Sequence, residues 1–171
     1  MKIKYHLDSS PRSIWKNPIH FIACGFGVGA IPFFPGTFGT LLSIPFCILF
    51  SRASVPMYLV LSFLMIAISA YTTHMTCKDF GVHDHTATVS DEVAGFLLTM
   101  VAIPVNGYTL ALGFIFFRFF DIVKPGPIAW VDRHVHGGIG VVLDDCLAAV
   151  FAWFVLYIIL YVCSKAGLHW I

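Results

Sequence analysis

The stretch DDCLAAVFAWFVLYIILYVCSK, residues 144–165, decides what kind of fold this chain can adopt. From Cys146 to Cys163 it carries no charged residue. A helix of that length nearly spans the roughly 30 Å hydrocarbon core of a bilayer, which takes about 20 residues. Two carboxylates stand at one end and Lys165 at the other. Working outward, residues 57–77 form a second span of full length, and residues 38–51 a shorter apolar helix with Pro45 as its expected kink. Residues 19–36, IHFIACGFGVGAIPFFPG, are apolar but broken by Gly25, Gly27, Gly29, Pro32, Pro35 and Gly36. Glycine and proline at that density oppose a regular helix. Irregular backbone at membrane depth is tolerated only where protein or water satisfies it, so a re-entrant or interfacial segment is expected.

The composition agrees. Hydrophobic residues make up 58% of the 171 residues and charged residues 11%, with a mean hydropathy of +0.87. An average soluble domain carries roughly a quarter charged residues. A soluble fold would have to expose much of this apolar surface, which excludes it, along with disorder and a secreted disulfide scaffold. A net charge of +1 gives no footing for nucleic acid as a partner. The five cysteines, Cys24, Cys47, Cys77, Cys146 and Cys163, are scattered without a CxxC pair and read as small inert hydrophobes. The segment 1–18 lacks the apolar run of a signal peptide. Its Lys2, Lys4, Arg12 and Lys16 place it on the cytoplasmic side under the positive-inside rule. No repeat or linker divides the chain, so residues 1–171 read as one membrane-embedded domain. Trp15, Trp130, Trp153 and Trp170 are expected interface anchors, with Trp153 equally suited to the core.

Between the two long spans, residues 78–92 and 121–145 are polar, and 93–120 is apolar around the turn signal Pro104-Val-Asn-Gly107. One interrupted span there would put the polar loops on opposite sides of the membrane; two short helices would put them on the same side. Charge favours the second arrangement, because Lys78, Arg118, Lys124 and Arg133 then share the cytoplasmic face with the N-terminus. The expected fold is all-α, a multi-pass membrane helical bundle of five spans or half-spans including short and re-entrant segments.

Eight of the nine carboxylates lie between positions 79 and 145: Asp79, Asp84, Asp91, Glu92, Asp121, Asp132, Asp144 and Asp145. Several stand at or inside expected helix ends, where charge is costly and marks function. An acid at a helix start also complements the dipole, which accounts for Asp91 or Asp144 but not for two adjacent pairs plus Asp121. Clustered carboxylates need a neutralising agent, and Mg²⁺ suits them, leaving places for water and phosphate. Arg118, Asp121 and Lys124 follow at i, i+3 and i+6, so Arg118 and Asp121 share a helix face. The basic pair supplies the other half of a phosphate site; a structural Arg118–Asp121 ion pair with a snorkelling Lys124 is the plainer alternative.

Two glycine-rich stretches, 25–40 and 137–140, could bring backbone N–H groups to a phosphate, with Thr37 and Thr40 as hydroxyl donors. Neither matches a Walker loop or a dinucleotide-binding turn, and small residues also serve helix packing in membranes. The pairs His83/His85 and His134/His136 raise a zinc reading, but no cysteine stands at ligand spacing. Loop histidines that orient carboxylates or substrate fit better, and His85 is placed with the substrate-binding groups. A Cys-x5-Arg loop, a DxDx[TV] motif and the paired motifs of His-nucleophile lipid phosphatases are absent, which leaves a metal-activated water as the nucleophile.

Three blocks of sequence, GFGVGAIPFFPGTFGTLLSIP (25–45), KDFGVHDHTATVSDEVAG (78–95) and FRFFDIVKPGPIAWVDRHVHGGIGVVLDD (117–145), resemble the bacterial phosphatidylglycerophosphatase A family. The likeness covers roughly positions 15–150 in the family's order. It implies an all-helical, multi-pass inner-membrane enzyme. Such an enzyme removes the terminal phosphate of phosphatidylglycerophosphate to give phosphatidylglycerol, with Mg²⁺, on the cytoplasmic face. The family's acidic pairs fall on Asp91–Glu92 and Asp144–Asp145, and its Asp-x-x-Lys-Pro element on Asp121, Lys124 and Pro125. Ser90 stands where a large apolar residue is common, Gly126 where Trp is common and Ala149 where Gly is frequent; these touch packing or lipid contact rather than charge.

Residues and resemblance together make Asp91, Glu92, Asp144 and Asp145 the expected metal ligands. Glu92, Asp145, Asp121 and Lys124 are the expected catalytic groups, and Arg118, Lys124, Thr37, Thr40 and His85 the substrate-binding ones. Adjacent helical residues point about 100° apart, so one of each pair can bind metal while its neighbour orients water or meets a cation. Two other classes compete. A transferase using a CDP-activated lipid also clusters Asp with Mg²⁺, but its DGxxAR…G…D signature is missing. A small transporter or channel would carry charges along a pore, with the polar loops on opposite sides.

Overall fold

The computed structural model describes residues 12–82 and 84–167. Among these it is all-helical. Seven α-helices follow in order: α1 Pro18–Ala23, α2 Pro35–Phe50, α3 Val55–Phe80, α4 Ser90–Thr99, α5 Gly107–Val123, α6 Pro127–His134 and α7 Gly138–Lys165. Lys2, Lys4, Asp8, His83, Trp170 and most of the basic N-terminal segment lie outside the described residues.

Local chemistry sets the boundaries. Asn17 caps α1 by accepting a hydrogen bond from the Ile19 N–H at 2.9 Å, with Pro18 at the first helical position. Beyond α1 the chain makes a 3-10 turn, Gly25–Ala30, in which Phe26 and Gly27 leave helical geometry. The broken apolar segment expected over 19–36 is thus two short pieces and a bend before α2. Asn106 opens α5 with a capping box: its Oδ1 accepts from the Tyr108 and Thr109 N–H groups, and Thr109 Oγ1 accepts from the Asn106 N–H.

α4 and α5 form an antiparallel hairpin. Glu92 meets Arg118, the Phe96 and Phe117 rings lie 6.0 Å apart, and Met100 packs at Gly113. Two short helices, not one interrupted span, therefore occupy residues 93–120, and the polar loops on either side lie at the same end of the molecule. α7 packs against α3, α4, α5 and α6, and α2 covers α4. The core is built from Phe96, Leu97, Met100, Phe117 and Leu156 around Ala148, Ala149 and Ala152, whose small side chains let α4 approach α7 closely.

Two boundaries differ from expectation. α3 runs on to Phe80 and α4 begins at Ser90, which shortens the polar loop to residues 81–89. α7 begins at Gly138, not at 146, despite the poor helix propensity of GGIG. Close packing accounts for it: a Cβ on Gly138 would strike the His74 backbone, and one on Gly140 the Val135 carbonyl. Tertiary contact overrides propensity there, and Asp144 and Asp145 become the seventh and eighth residues of a 28-residue helix.

α3 and α7 are long and apolar enough to cross a membrane, with mean hydropathies of 1.8 and 2.5 over their best windows. Only 22% of each window is buried inside the protein; a soluble core helix would be mostly covered. Val60, Phe63 and Leu64 on α3 and Phe154, Ile158 and Tyr161 on α7 face outward, an apolar exterior that belongs in lipid. Trp15 and Trp130 are exposed, whereas Trp153 is part of the packing and donates from Nε1 to the Val101 carbonyl at 2.8 Å.

Candidate active site

α4 opens with Ser90-Asp91-Glu92, and α7 carries Asp145 two turns from its start. One carboxylate oxygen from each of Asp91, Glu92 and Asp145 lies within 4.8 Å of the others. Asp91 and Asp145 are each 5% exposed, and the Glu92 side chain 15%. Asp91 Oδ1, Glu92 Oε2 and Asp145 Oδ2 are buried without a hydrogen-bond partner among the described residues. Dipole complementation at the α4 N-terminus favours one or two solvated acids. It does not account for three buried ones converging from two helices, each with an orphaned oxygen.

The cationic neighbour comes from α5. Arg118 Nη1 lies 2.5 Å from Asp121 Oδ2 and 3.8 Å from Glu92 Oε1, with both pairs largely enclosed. Asp121 thus holds the guanidinium one helical turn away, and Arg118 Nε keeps no hydrogen-bond partner among the described residues. At the start of α2, Gly36 completes this wall: a Cβ there would strike Glu92 Oε1 and crowd both Arg118 Nη atoms. A glycine lets the α2 backbone come this close while the Glu92 carboxylate and the Arg118 guanidinium keep their places. In the sequence Gly36 is one glycine of a rich stretch, and no local signal sets it apart.

Asp144 goes elsewhere. Its carboxylate accepts a hydrogen bond from Lys124 Nζ, which also donates to Asp132 Oδ1 at 2.6 Å. The expected metal set therefore divides, with Asp91, Glu92 and Asp145 brought together and Asp144 turned toward the lysine. Lys124 caps α5 in the left-handed conformation (φ 46°, ψ 61°), a strained choice for a side-chain-bearing residue. Pro125 follows it and forbids helix continuation. Partial burial lowers the ammonium's proton affinity, but the Asp132 and Asp144 hydrogen bonds outweigh it and hold the group above the usual lysine range. Asp132, from α6, is one of the eight clustered carboxylates of the sequence, and its contact with Lys124 depends on α6 folding back toward that residue.

The remaining expected groups scatter. Thr40 is fully buried and its hydroxyl donates to the Gly36 carbonyl, so it serves the helix rather than a ligand. Thr37 is half-buried in the first turn of α2. His85 sits in the loop before α4, its ring edge-on to Phe80 and its Nδ1 accepting from the Ala87 N–H at 3.1 Å. Burial lowers its proton affinity, opposed by Asp84. Gly29 and Gly39 pack against Ala87 and Val89, so the first glycine-rich stretch is largely a packing surface. His134 stacks on Trp130 with ring centroids 4.7 Å apart. All five cysteines are free.

Three carboxylates with orphaned buried oxygens form a hard-oxygen donor set. That chemistry suits a divalent cation such as Mg²⁺ and does not suit a soft one. Beside it stands a forked cation on Arg118, and Lys124, bonded to the Asp144 that precedes Asp145, is a point cation; the two recognise phosphate in different ways.

Residues 21–160 match the family model for phosphatidylglycerophosphatase A. The chain belongs to the phosphatidylglycerophosphatase A family. It is 44% identical over 155 residues to the phosphatidylglycerophosphatase A of Escherichia coli strain K12, covering 90% of this chain and 86% of that protein. It is 42% identical over 147 residues to the phosphatidylglycerophosphatase A of Haemophilus influenzae, covering 85% and 90%. A Bacteroides thetaiotaomicron protein, named provisionally as a phosphatidylinositol-3-phosphatase, is 34% identical over 150 residues, covering 79% and 89%. No solved structure matches the chain significantly.

Proposed function

We propose that this member of the phosphatidylglycerophosphatase A family is a Mg²⁺-dependent phosphatase of the bacterial inner membrane. It hydrolyses the terminal phosphate of phosphatidylglycerophosphate to leave phosphatidylglycerol. The observation that carries the reading is the buried trio Asp91, Glu92 and Asp145, flanked by Arg118, in a chain 44% identical to a protein bearing that activity's name. The chain crosses the bilayer several times, with the loop 81–89, the α6 segment 124–137 and the basic N-terminal segment on the cytoplasmic side.

Asp91, Glu92 and Asp145 would hold the cation, which when bound supplies Lewis-acid stabilisation of phosphoryl charge. Arg118, steadied by Asp121, binds equatorial phosphate oxygens through its fork of N–H donors. Lys124, held by Asp132 and Asp144, neutralises charge as the phosphorus–oxygen bond to the lipid breaks. A carboxylate oxygen of Glu92 or Asp145 takes the proton of the attacking water. The sheltered position of the trio keeps bulk water from screening these charges.

The hairpin of α4 and α5 leaves the two polar loops at one end, the opposite of the arrangement that would favour a channel. Inorganic phosphate release from phosphatidylglycerophosphate, phosphatidic acid and phosphatidylinositol 3-phosphate, each with and without Mg²⁺, tests the reading. Release from phosphatidylglycerophosphate that depends on Mg²⁺ and exceeds the other two is the expected result. Greater release from the inositol lipid would move the assignment toward the Bacteroides relative, and no release from any would remove it.

A further inference from the structure

An apolar cleft opens between α2, α3 and the turn after α1, lined by Phe26, Leu42, Phe46, Met65 and Ile68, with Ser69 and Ser90 as its floor. We propose that this cleft binds one acyl chain of the lipid substrate and so sets the headgroup at the carboxylate trio. The inference rests on the lipid-phosphatase reading above.

Three observations converge on an acyl chain. The rim is continuous with the lipid-facing exterior, since Phe26 is 52% and Ile68 37% exposed. The floor lies one residue from the site: Ser90 and Val93 line the cleft from α4, Asp91 stands between them in the chain, and Glu92 leaves the other side of the helix toward Gly36 and Arg118. The enclosed part of the cleft is small, about 40 Å³, so it grips a short stretch of chain while the rest lies in lipid along α2 and α3. Leu42 and Phe46 lie six and ten residues beyond Gly36 on α2, about 9 and 15 Å along the helix, so the cleft runs into the bilayer from the level of the carboxylates.

The floor is polar yet internally satisfied. Ser69 and Ser90 hydroxyls lie 3.0 Å apart, and Thr73 Oγ1 lies 3.2 Å from Ser90 Oγ. These hydroxyls therefore impose no unmet hydrogen bond on an apolar occupant. Gly25 keeps the inner wall open, because a Cβ there would reach Val89 and Leu42. Ser90, standing where the family commonly has a large apolar residue, contributes to the same space.

The test uses the full-length protein in vesicles of phosphatidylethanolamine. Phosphatidylglycerophosphate bearing a mid-chain diazirine is photolysed and the label mapped. Label on Leu42, Phe46 or Met65, displaced by excess unlabelled phosphatidylglycerophosphate but not by added phosphatidylethanolamine, is expected. Label confined to the outward residues Phe63 and Leu64, or displaced equally by both lipids, overturns the proposal. In parallel, Met65→Trp should lower kcat/KM for a sixteen-carbon substrate about tenfold relative to a six-carbon one, the effect of expelling about two methylenes from apolar contact. An unchanged ratio contradicts the cleft. Should Met65→Trp fail to fold, Leu42→Phe carries the kinetic arm. A wild-type protein that releases no phosphate sinks the activity reading instead, and the labelling still reports on the cleft.

Discussion

The chain contains two adjacent acidic pairs, and the fold treats them differently. Asp91 and Glu92, in the first turn of α4, both turn into one enclosed cluster. Asp144 and Asp145, two turns into α7, part company, one meeting Lys124 and the other joining the cluster. The cause is position. At a helix start, side chains can curl over the open end, and the extra methylene of Glu92 lengthens its reach. Inside α7 the 100° step between neighbours is enforced by the packing of α4 on one side and α6 on the other. Two adjacent acidic pairs thus supply one two-handed contribution to the trio and one division of labour.

This contrast can be broken most forcefully at the trio. Glu92→Gln or Asp145→Asn should lower Mg²⁺-supported phosphate release by about 10³-fold, the upper end of the 10²–10³ typical of one transition-state contact. Retention of a tenth of wild-type activity by either would end the assignment. Next in size is the lysine arm. Lys124→Met should cost about 10²-fold in kcat and Asp144→Asn about tenfold, while Asp144→Asn leaves the Mg²⁺ concentration for half-activation where it is. A shift of that concentration matching the shift in Asp145→Asn would show that Asp144 belongs with the metal after all.

Smaller effects sharpen the wall of the site. Gly36→Ala should lower kcat/KM about tenfold, because the new methyl displaces Glu92 and Arg118 from their meeting point; equal activity would mean that α2 can retreat. Thr40→Val, by contrast, should change activity by less than about twofold and cost about 1 kcal/mol of stability, the worth of its hydrogen bond to Gly36. A large kinetic defect in Thr40→Val with unaltered thermal stability would restore that hydroxyl to the substrate.

The two long apolar helices were legible because length and hydropathy are local properties, and the α4–α5 turn because Pro104, Asn106 and Gly107 are turn residues. α7's early start was hidden: GGIG reads as a breaker until His74 and Val135 are seen pressing on Gly138 and Gly140. Clustering of the acids in the chain foretold a site, and the 100° rule foretold that a pair could split. Which acid would face Lys124 was fixed by where α6 and Asp132 lie, a long-range outcome with no local signature. The same applies to Gly36, one glycine among many until Glu92 and Arg118 are placed against it. Thr40 went the other way, since its hydroxyl found a carbonyl one turn back on its own helix.

Binding of Mn²⁺ as a probe for the cation, followed by its electron paramagnetic resonance signal in wild-type protein and in two variants, bears most directly on the trio. The account predicts tight binding in wild type and in Asp144→Asn, with loss in the double variant Glu92→Gln/Asp145→Asn. Binding that survives the double variant, or that vanishes equally in Asp144→Asn, contradicts it.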